Sequence, residues 1–138
     1  MKPVREFTLE EHDGPYERWP LRTRVLRGGR PTGAEVPGHS LLHQFELAGP
    51  RYLLVVDWDC PFEEETSVVL LDPALRVLSV KRFGAPWGSF LLRDATVVDE
   101  RTLDLDFGPQ DVQRVTVRER RPWWIGPLLR AERLRPGD

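Results

Sequence analysis

The sequence contains one cysteine, Cys60, among its 138 residues. A single thiol excludes an intramolecular disulfide, and it also excludes a zinc site built from several cysteines. No apolar stretch approaches the roughly 18 residues of a membrane-spanning helix, and the first residues are charged where a signal peptide would be apolar. We therefore expect a cytoplasmic protein that does not associate with membranes.

Lysine is also scarce, because 18 of the 20 basic residues are arginine. We interpret this bias as the result of a GC-rich genome, which favours a bacterial source. Hydrophobic residues make up 40% of the chain and charged residues 30%, an ordinary composition for a globular protein. The length suits one domain, so residues 1–138 are predicted to form a single globular β domain.

The net charge is only −2, so the charge as a whole does not direct the chain to nucleic acid. The charges are nevertheless segregated. Residues 18–30 contain five arginines and no acid, residues 44–65 contain six acids and one arginine, and residues 114–135 contain seven arginines and two glutamates. Such stretches usually form solvated surfaces whose charges pair after folding. The alternative interpretation is a charged partner.

The region from His39 to Glu119 has the pattern of consecutive antiparallel strands, in which short runs rich in Val, Leu, Thr and aromatics alternate with Gly, Pro and Asp. The predicted strands are Leu41–Leu47, Tyr52–Asp59, Thr66–Leu71, Arg76–Phe83, Phe90–Val98, Thr102–Phe107 and Val112–Glu119. We predict an all-β fold: an antiparallel β-sandwich or partly open barrel of about 7 to 9 strands in largely meander order, with at most one or two short helices.

The connections give more local predictions. Asp72 followed by Pro73 is typical of a β-turn that closes a hairpin. The glycines and prolines of Gly28–Gly38 predict a long surface loop. Pro127, with basic residues after it, favours a short C-terminal helix. A bulge or a five-residue connection is expected to place Leu105 opposite Val115, so that their apolar faces meet.

The most distinctive stretch is an acidic strand end that continues into an acidic turn. It has five carboxylates within nine residues, and it reads Asp57-Trp58-Asp59-Cys60-Pro61-Phe62-Glu63-Glu64-Glu65. The alternation of a strand places Asp57 and Asp59 on one side and Trp58 on the other. The acids therefore extend one apolar face at its end.

Several functions are compatible with this stretch. The carboxylates could hold calcium or magnesium, although the spacing of an EF-hand is missing. They could form the acid pair of a glycosidase, but any two acids on a strand satisfy that pattern. An acidic rim with aromatic anchors could instead bind a basic protein partner. The residues predicted for that partner are Asp57, Trp58, Asp59, Phe62, Glu63, Glu64 and Glu65.

Other candidate sites are disfavoured by their chemistry. Cys60 with His39 or His43 could form a thiol–imidazole pair, but the acidic neighbours of the cysteine disfavour the thiolate. His39 and His43 lie about 13 Å apart on a straight strand, too far to share a metal. The segment Arg118–Trp124 combines arginines with two tryptophans on which bases could stack, although the net negative charge opposes nucleic-acid binding.

We therefore expect a non-catalytic binding domain that engages another protein through a charged surface, as an inhibitor or immunity-type protein does. No catalytic residue, metal or cofactor is assigned. One alternative is a small enzyme or divalent-metal-dependent protein that uses Asp57, Asp59 and Glu63–Glu65. A second alternative is single-stranded nucleic-acid binding through Arg118–Trp124. The chain is expected to be a monomer, or a homodimer paired through an edge strand.

Overall fold

The computed structural model describes residues 1–60, 63–84, 91–119 and 126–135, with the backbone only for Asp59, Cys60 and Glu63. These ranges contain twelve strands and one short 3-10 turn, Tyr16–Arg18. The strands are β1 (Lys2–Pro3), β2 (Phe7–Leu9), β3 (Thr23–Arg27), β4 (Arg30–Val36), β5 (Ser40–Leu47), β6 (Arg51–Cys60), β7 (Glu63–Leu71), β8 (Val77–Phe83), β9 (Asp94–Asp99), β10 (Thr102–Asp106), β11 (Val112–Val117) and β12 (Leu129–Arg133). The predicted all-β antiparallel fold is confirmed. Over the described residues the strands number twelve instead of seven to nine.

The strands form three sheets, with strand orders β1-β5-β6-β7-β8, β12-β11-β10-β9 and β2-β3-β4. Consecutive strands are neighbours in each sheet, as a meander requires, and the exception is β1, which pairs with β5. Across the described residues the sheets do not close into a barrel. No helix in those ranges is long and apolar enough to span a membrane.

The five-stranded sheet lies between the other two. Leu53 and Val55 of β6 pack in one apolar cluster with β10 and β11 of the four-stranded sheet. Leu54 and Val56 pack in a second cluster with β3 and β4 of the three-stranded sheet. Because β6 and β7 are covered on both faces, residues 52–56 and 68–71 are buried without interruption. The molecule is thus a three-layered β structure organised around the β6–β7 hairpin.

The predicted loop at Gly28–Gly38 is wrong, because most of this segment is strand β4. Gly28 and Gly29 form a tight connection between β3 and β4, with φ angles of +59° and +80°. Two consecutive positive φ angles are typical of the type I′ turn that joins hairpin strands, and glycine adopts them at low cost. Pro31 is tolerated because β4 is an edge strand.

The predicted C-terminal helix is also wrong, because Leu129–Arg133 is strand β12. It pairs with β11 and places Leu129 opposite Val117 and Ala131 opposite Val115. Leu129 is buried and Arg130 is exposed, as expected for a strand with one covered face. Pairing with an apolar neighbour outweighs the local signals for a helix end.

Two hairpins test the predicted connections. The Asp72 turn is confirmed: the Leu75 amide donates to the Asp72 carbonyl at 2.9 Å, and Leu71 pairs with Val77. The expected pairing of Leu105 with Val115 is wrong by two positions, since Leu103 lies opposite Val115. Leu103, Leu105, Val115 and Val117 still share one buried face, so the predicted inward faces are correct.

Truncation of Leu54 should reveal the double covering of β6. Leu54 is 0% exposed, so Leu54→Ala should lower the free energy of unfolding by about 2–5 kcal/mol through lost burial and a cavity. Val98→Ala is the control, because Val98 on β9 is 45% exposed, and its effect should stay within about 0.5 kcal/mol. Urea unfolding measures both, and equal losses would contradict the three-layer arrangement.

Candidate functional site

The acidic stretch lies at the outer end of the β6–β7 hairpin. There Asp57 pairs with Thr66, Trp58 with Glu65, Asp59 with Glu64, and Cys60 with Glu63. The inner part of the same hairpin is buried between the layers, whereas Trp58, Glu64 and Glu65 are partly exposed. Residues 57–60 and 63–66 are called the acidic hairpin end below.

The predicted partner-binding residues are divided between the two faces of this hairpin. Asp57 continues the face of Leu53 and Val55, and it is only 7% exposed. Trp58 continues the opposite face, where Glu65 is its cross-strand neighbour. Asp59 and Glu63 are placed by their backbones, and Phe62 lies outside the described residues. The structure therefore brings Trp58 and Glu65 together and separates them from Asp57.

The two described glutamates of the acidic hairpin end differ in their partners. Glu65 Oε1 lies 3.5 Å from Arg82 Nη1 on the neighbouring strand β8, and it accepts a long hydrogen bond from Ser67 Oγ at 3.5 Å. Glu64 has a buried oxygen, Oε2, with no hydrogen-bond partner among the described residues. The charge of Glu65 is thus partly balanced within the fold, whereas one carboxylate oxygen of Glu64 has no described hydrogen-bond partner.

Trp58 belongs to a cluster of four rings that sequence reasoning missed. It comprises His12, Trp19, His39 and Trp58 and is called the aromatic cluster below. The His39 ring centre lies 4.2 Å from that of Trp58, 4.8 Å from that of Trp19 and 5.6 Å from that of His12. His39 is therefore the central ring, and it joins the N-terminal segment to the acidic hairpin end.

Backbone contacts hold the aromatic cluster in place. The His39 amide donates to the Asp57 carbonyl at 2.8 Å. This contact requires Gly38 beside it, because a Cβ there would lie 3.0 Å from the same carbonyl oxygen. On the other side, Trp19 Nε1 donates to the Gly14 carbonyl at 3.1 Å. The Trp58 ring is consequently packed against fixed neighbours.

The environment of His39 disfavours its charged form. Burial lowers the pKa of His39 below its ordinary value of 6.5, and the positive charge of His12 lowers it further. A hydrogen bond to the Pro20 carbonyl acts in the opposite direction. His39 Nε2 is buried and has no hydrogen-bond partner among the described residues. A proton added at that atom would therefore lack an acceptor.

The structure brings fewer groups together at the other candidate sites. His43 stacks on Phe45 with a 6.2 Å ring separation, and it does not join His39. Among the described side chains, no three His, Cys, Asp or Glu residues are close enough together to hold a metal ion. The Cys60 thiol and residues 120–125, which contain most of the predicted nucleic-acid segment, lie outside the described part.

Comparison with known proteins gives no relative: no family model, no curated protein and no solved structure matches the chain.

Acid should weaken the fold through His39. The pKa of His39 is lower in the folded state than in the unfolded chain. The stability that neutral His39 provides is therefore fully present above about pH 6.5, and it is lost as the pH falls through the pKa of His39 in the folded state. The free energy of unfolding should therefore fall more between about pH 7.5 and pH 5 in wild type than in His39→Gln. Urea unfolding at the two pH values measures the difference.

His43→Gln serves as the matched control, because it removes a histidine outside the aromatic cluster. It should keep the pH dependence of the wild type. A His39→Gln variant with the same pH dependence as wild type would show that the aromatic cluster does not sense protonation.

Proposed function

We propose that the protein is a non-catalytic binding domain that engages a basic protein partner through its acidic hairpin end. The single observation that carries this proposal is the setting of Trp58. It is a large, partly exposed ring, held by His39 at a 4.2 Å ring separation and flanked across the hairpin by Glu65. A packed aromatic anchor beside carboxylates has the composition of an interface hot spot for a cationic surface.

The rigidity of the hairpin supports this proposal. Its inner residues are buried on both faces, and its outer end continues the same two strands without a register shift. Groups on such a scaffold lose little conformational entropy when a partner binds. The affinity of the site would therefore depend mainly on its contacts with the partner, because little free energy is lost in ordering the chain.

The charge of the outer end supports a basic partner in particular. Five of the residues in the acidic hairpin end are acidic by sequence, and the described ion pair involves one of them, Glu65 with Arg82. Glu64 is partly exposed, and its buried Oε2 has no hydrogen-bond partner among the described residues, so its negative charge is poorly balanced within the fold. An arginine or lysine of the partner would place a positive charge opposite it.

The cellular setting and assembly state belong to the same proposal. A cytoplasmic location is favoured by the single cysteine, and a bacterial source by the arginine bias. We propose that the protein acts as a monomer, because two of its edge strands carry features that oppose strand pairing. Edge strand β9 begins at Asp94 and ends at Asp99, and edge strand β4 contains Pro31.

Neutralising the acidic hairpin end should abolish partner retention. Immobilised wild type should retain at least one basic protein from a lysate of the source organism. Changing Glu63, Glu64 and Glu65 together to Gln, or Trp58→Ala alone, should reduce recovery of that protein about tenfold or more, equivalent to roughly 1.4 kcal/mol. Quantitative mass spectrometry of the retained proteins is the measurement.

The matched control changes three exposed acids elsewhere, Glu11, Glu35 and Glu132, to Gln, and it should retain the protein as wild type does. Equal recovery on all four baits, or no retained protein, would refute the proposed surface. Thermal melts with Mg²⁺ and Ca²⁺ accompany the assay. A metal-dependent rise of several degrees in Tm would favour a divalent-metal-dependent protein instead.

A further inference from the structure

Arg51 is a half-buried cation with few partners. It begins β6, seven residues and about 23 Å along the strand from Trp58. Its Nη1 donates to the Arg118 carbonyl at 2.8 Å, and this is the one hydrogen bond of its side chain among the described residues. The nearby Glu119 carboxylate forms an ion pair with Arg101. Arg51 therefore keeps most of its five N–H donors without a described acceptor.

The surroundings of Arg51 oppose its positive charge. Burial lowers the pKa of Arg51, and the neighbouring Arg101 cation lowers it further, while Glu119 acts in the opposite direction. A guanidinium that is partly removed from water and placed beside a like charge is destabilised unless an anion accompanies it. An anion bound at this position would relieve both effects.

An open cavity of about 390 Å³ has Arg51 in its lining, and this volume is within the size range of small-molecule sites. Three chain segments contribute to it: the connection between β5 and β6, the turn between β9 and β10, and Glu119 shortly after β11. Its lining includes Leu47, Gly49, Arg51, Glu100, Arg101 and Glu119. Two arginines and two glutamates thus line one space.

We propose that this cavity binds a small carboxylate, and best an α-amino acid. The planar fork of Arg51 matches a carboxylate, which can accept two parallel hydrogen bonds from it. Glu119 balances the charge of Arg101, whereas Glu100 has no ion pair among the described residues. Glu100 therefore repels a dianion such as phosphate and attracts the ammonium group of an amino acid. The site is independent of the proposed partner surface, because it lies at the opposite end of β6.

Titration with three probes tests the proposal. Glycine, acetate and inorganic phosphate are added to the ¹⁵N-labelled protein up to about 50 mM, a range that detects millimolar affinity. We expect saturable shifts of the Arg51 Nε–Hε signal and of the Gly49 amide with glycine and acetate. Glycine should bind more tightly than acetate, and phosphate should bind more weakly than either. Glu100→Gln should reduce the affinity for glycine, whose ammonium group loses a partner, and should not weaken the binding of acetate.

Two variants separate binding from folding. Arg51→Gln should remove the saturable shift at Gly49, and Arg51→Lys, which keeps the charge without the planar fork, should weaken glycine binding about tenfold. Arg130→Gln, an exposed arginine on β12, should bind as wild type does. Absence of saturable shifts with every probe, unchanged binding in both Arg51 variants, or tighter binding of phosphate than of the carboxylates would overturn the proposal.

Discussion

Burial of the β6–β7 hairpin on both faces is the constraint on which the rest of the structure depends. Its two apolar clusters share the same backbone, since alternate residues of β6 point into one cluster and then into the other. A substitution at Leu54 therefore alters packing against the three-stranded sheet, and a substitution at Leu53 alters packing against the four-stranded sheet. The acidic hairpin end and the Arg51 cavity lie at the two ends of β6, and both inherit their fixed geometry from that buried middle.

Much of the strand pattern was predictable from the sequence, because the hydrophobic alternation between His39 and Glu119 directly reflects one covered face. The continuous apolar runs of β6 and β7 indicated strands covered on both faces, but such runs do not reveal which other segments cover them. The third layer was missed because Gly28–Gly38 has loop-like composition, and an edge strand tolerates glycine and proline. The C-terminal strand was missed because pairing with β11 depends on distant residues.

The candidate site was predictable to a smaller extent. Local sequence marked the acidic hairpin end, since five acids within nine residues form a local pattern. Their division between two faces also followed from strand alternation. The aromatic cluster did not, because His12, Trp19, His39 and Trp58 are widely spaced in the chain and meet only through the packing of two sheets. The same holds for Arg51, at the start of β6, and Arg101, in the turn between β9 and β10, which are distant in the sequence.

The three-layer arrangement also has a consequence for synthesis. The N-terminal sheet, β2 to β4, has an apolar face formed by Phe7, Val25, Ala34 and Val36, and the fully buried residues that cover this face lie between Tyr52 and Leu71. A growing chain emerges at about 5–20 residues per second, so for several seconds this sheet lacks most of the surface on which it packs. During that interval its stability depends on the tight Gly28-Gly29 connection and on strand pairing alone, and its apolar face is open to chaperones and to other chains.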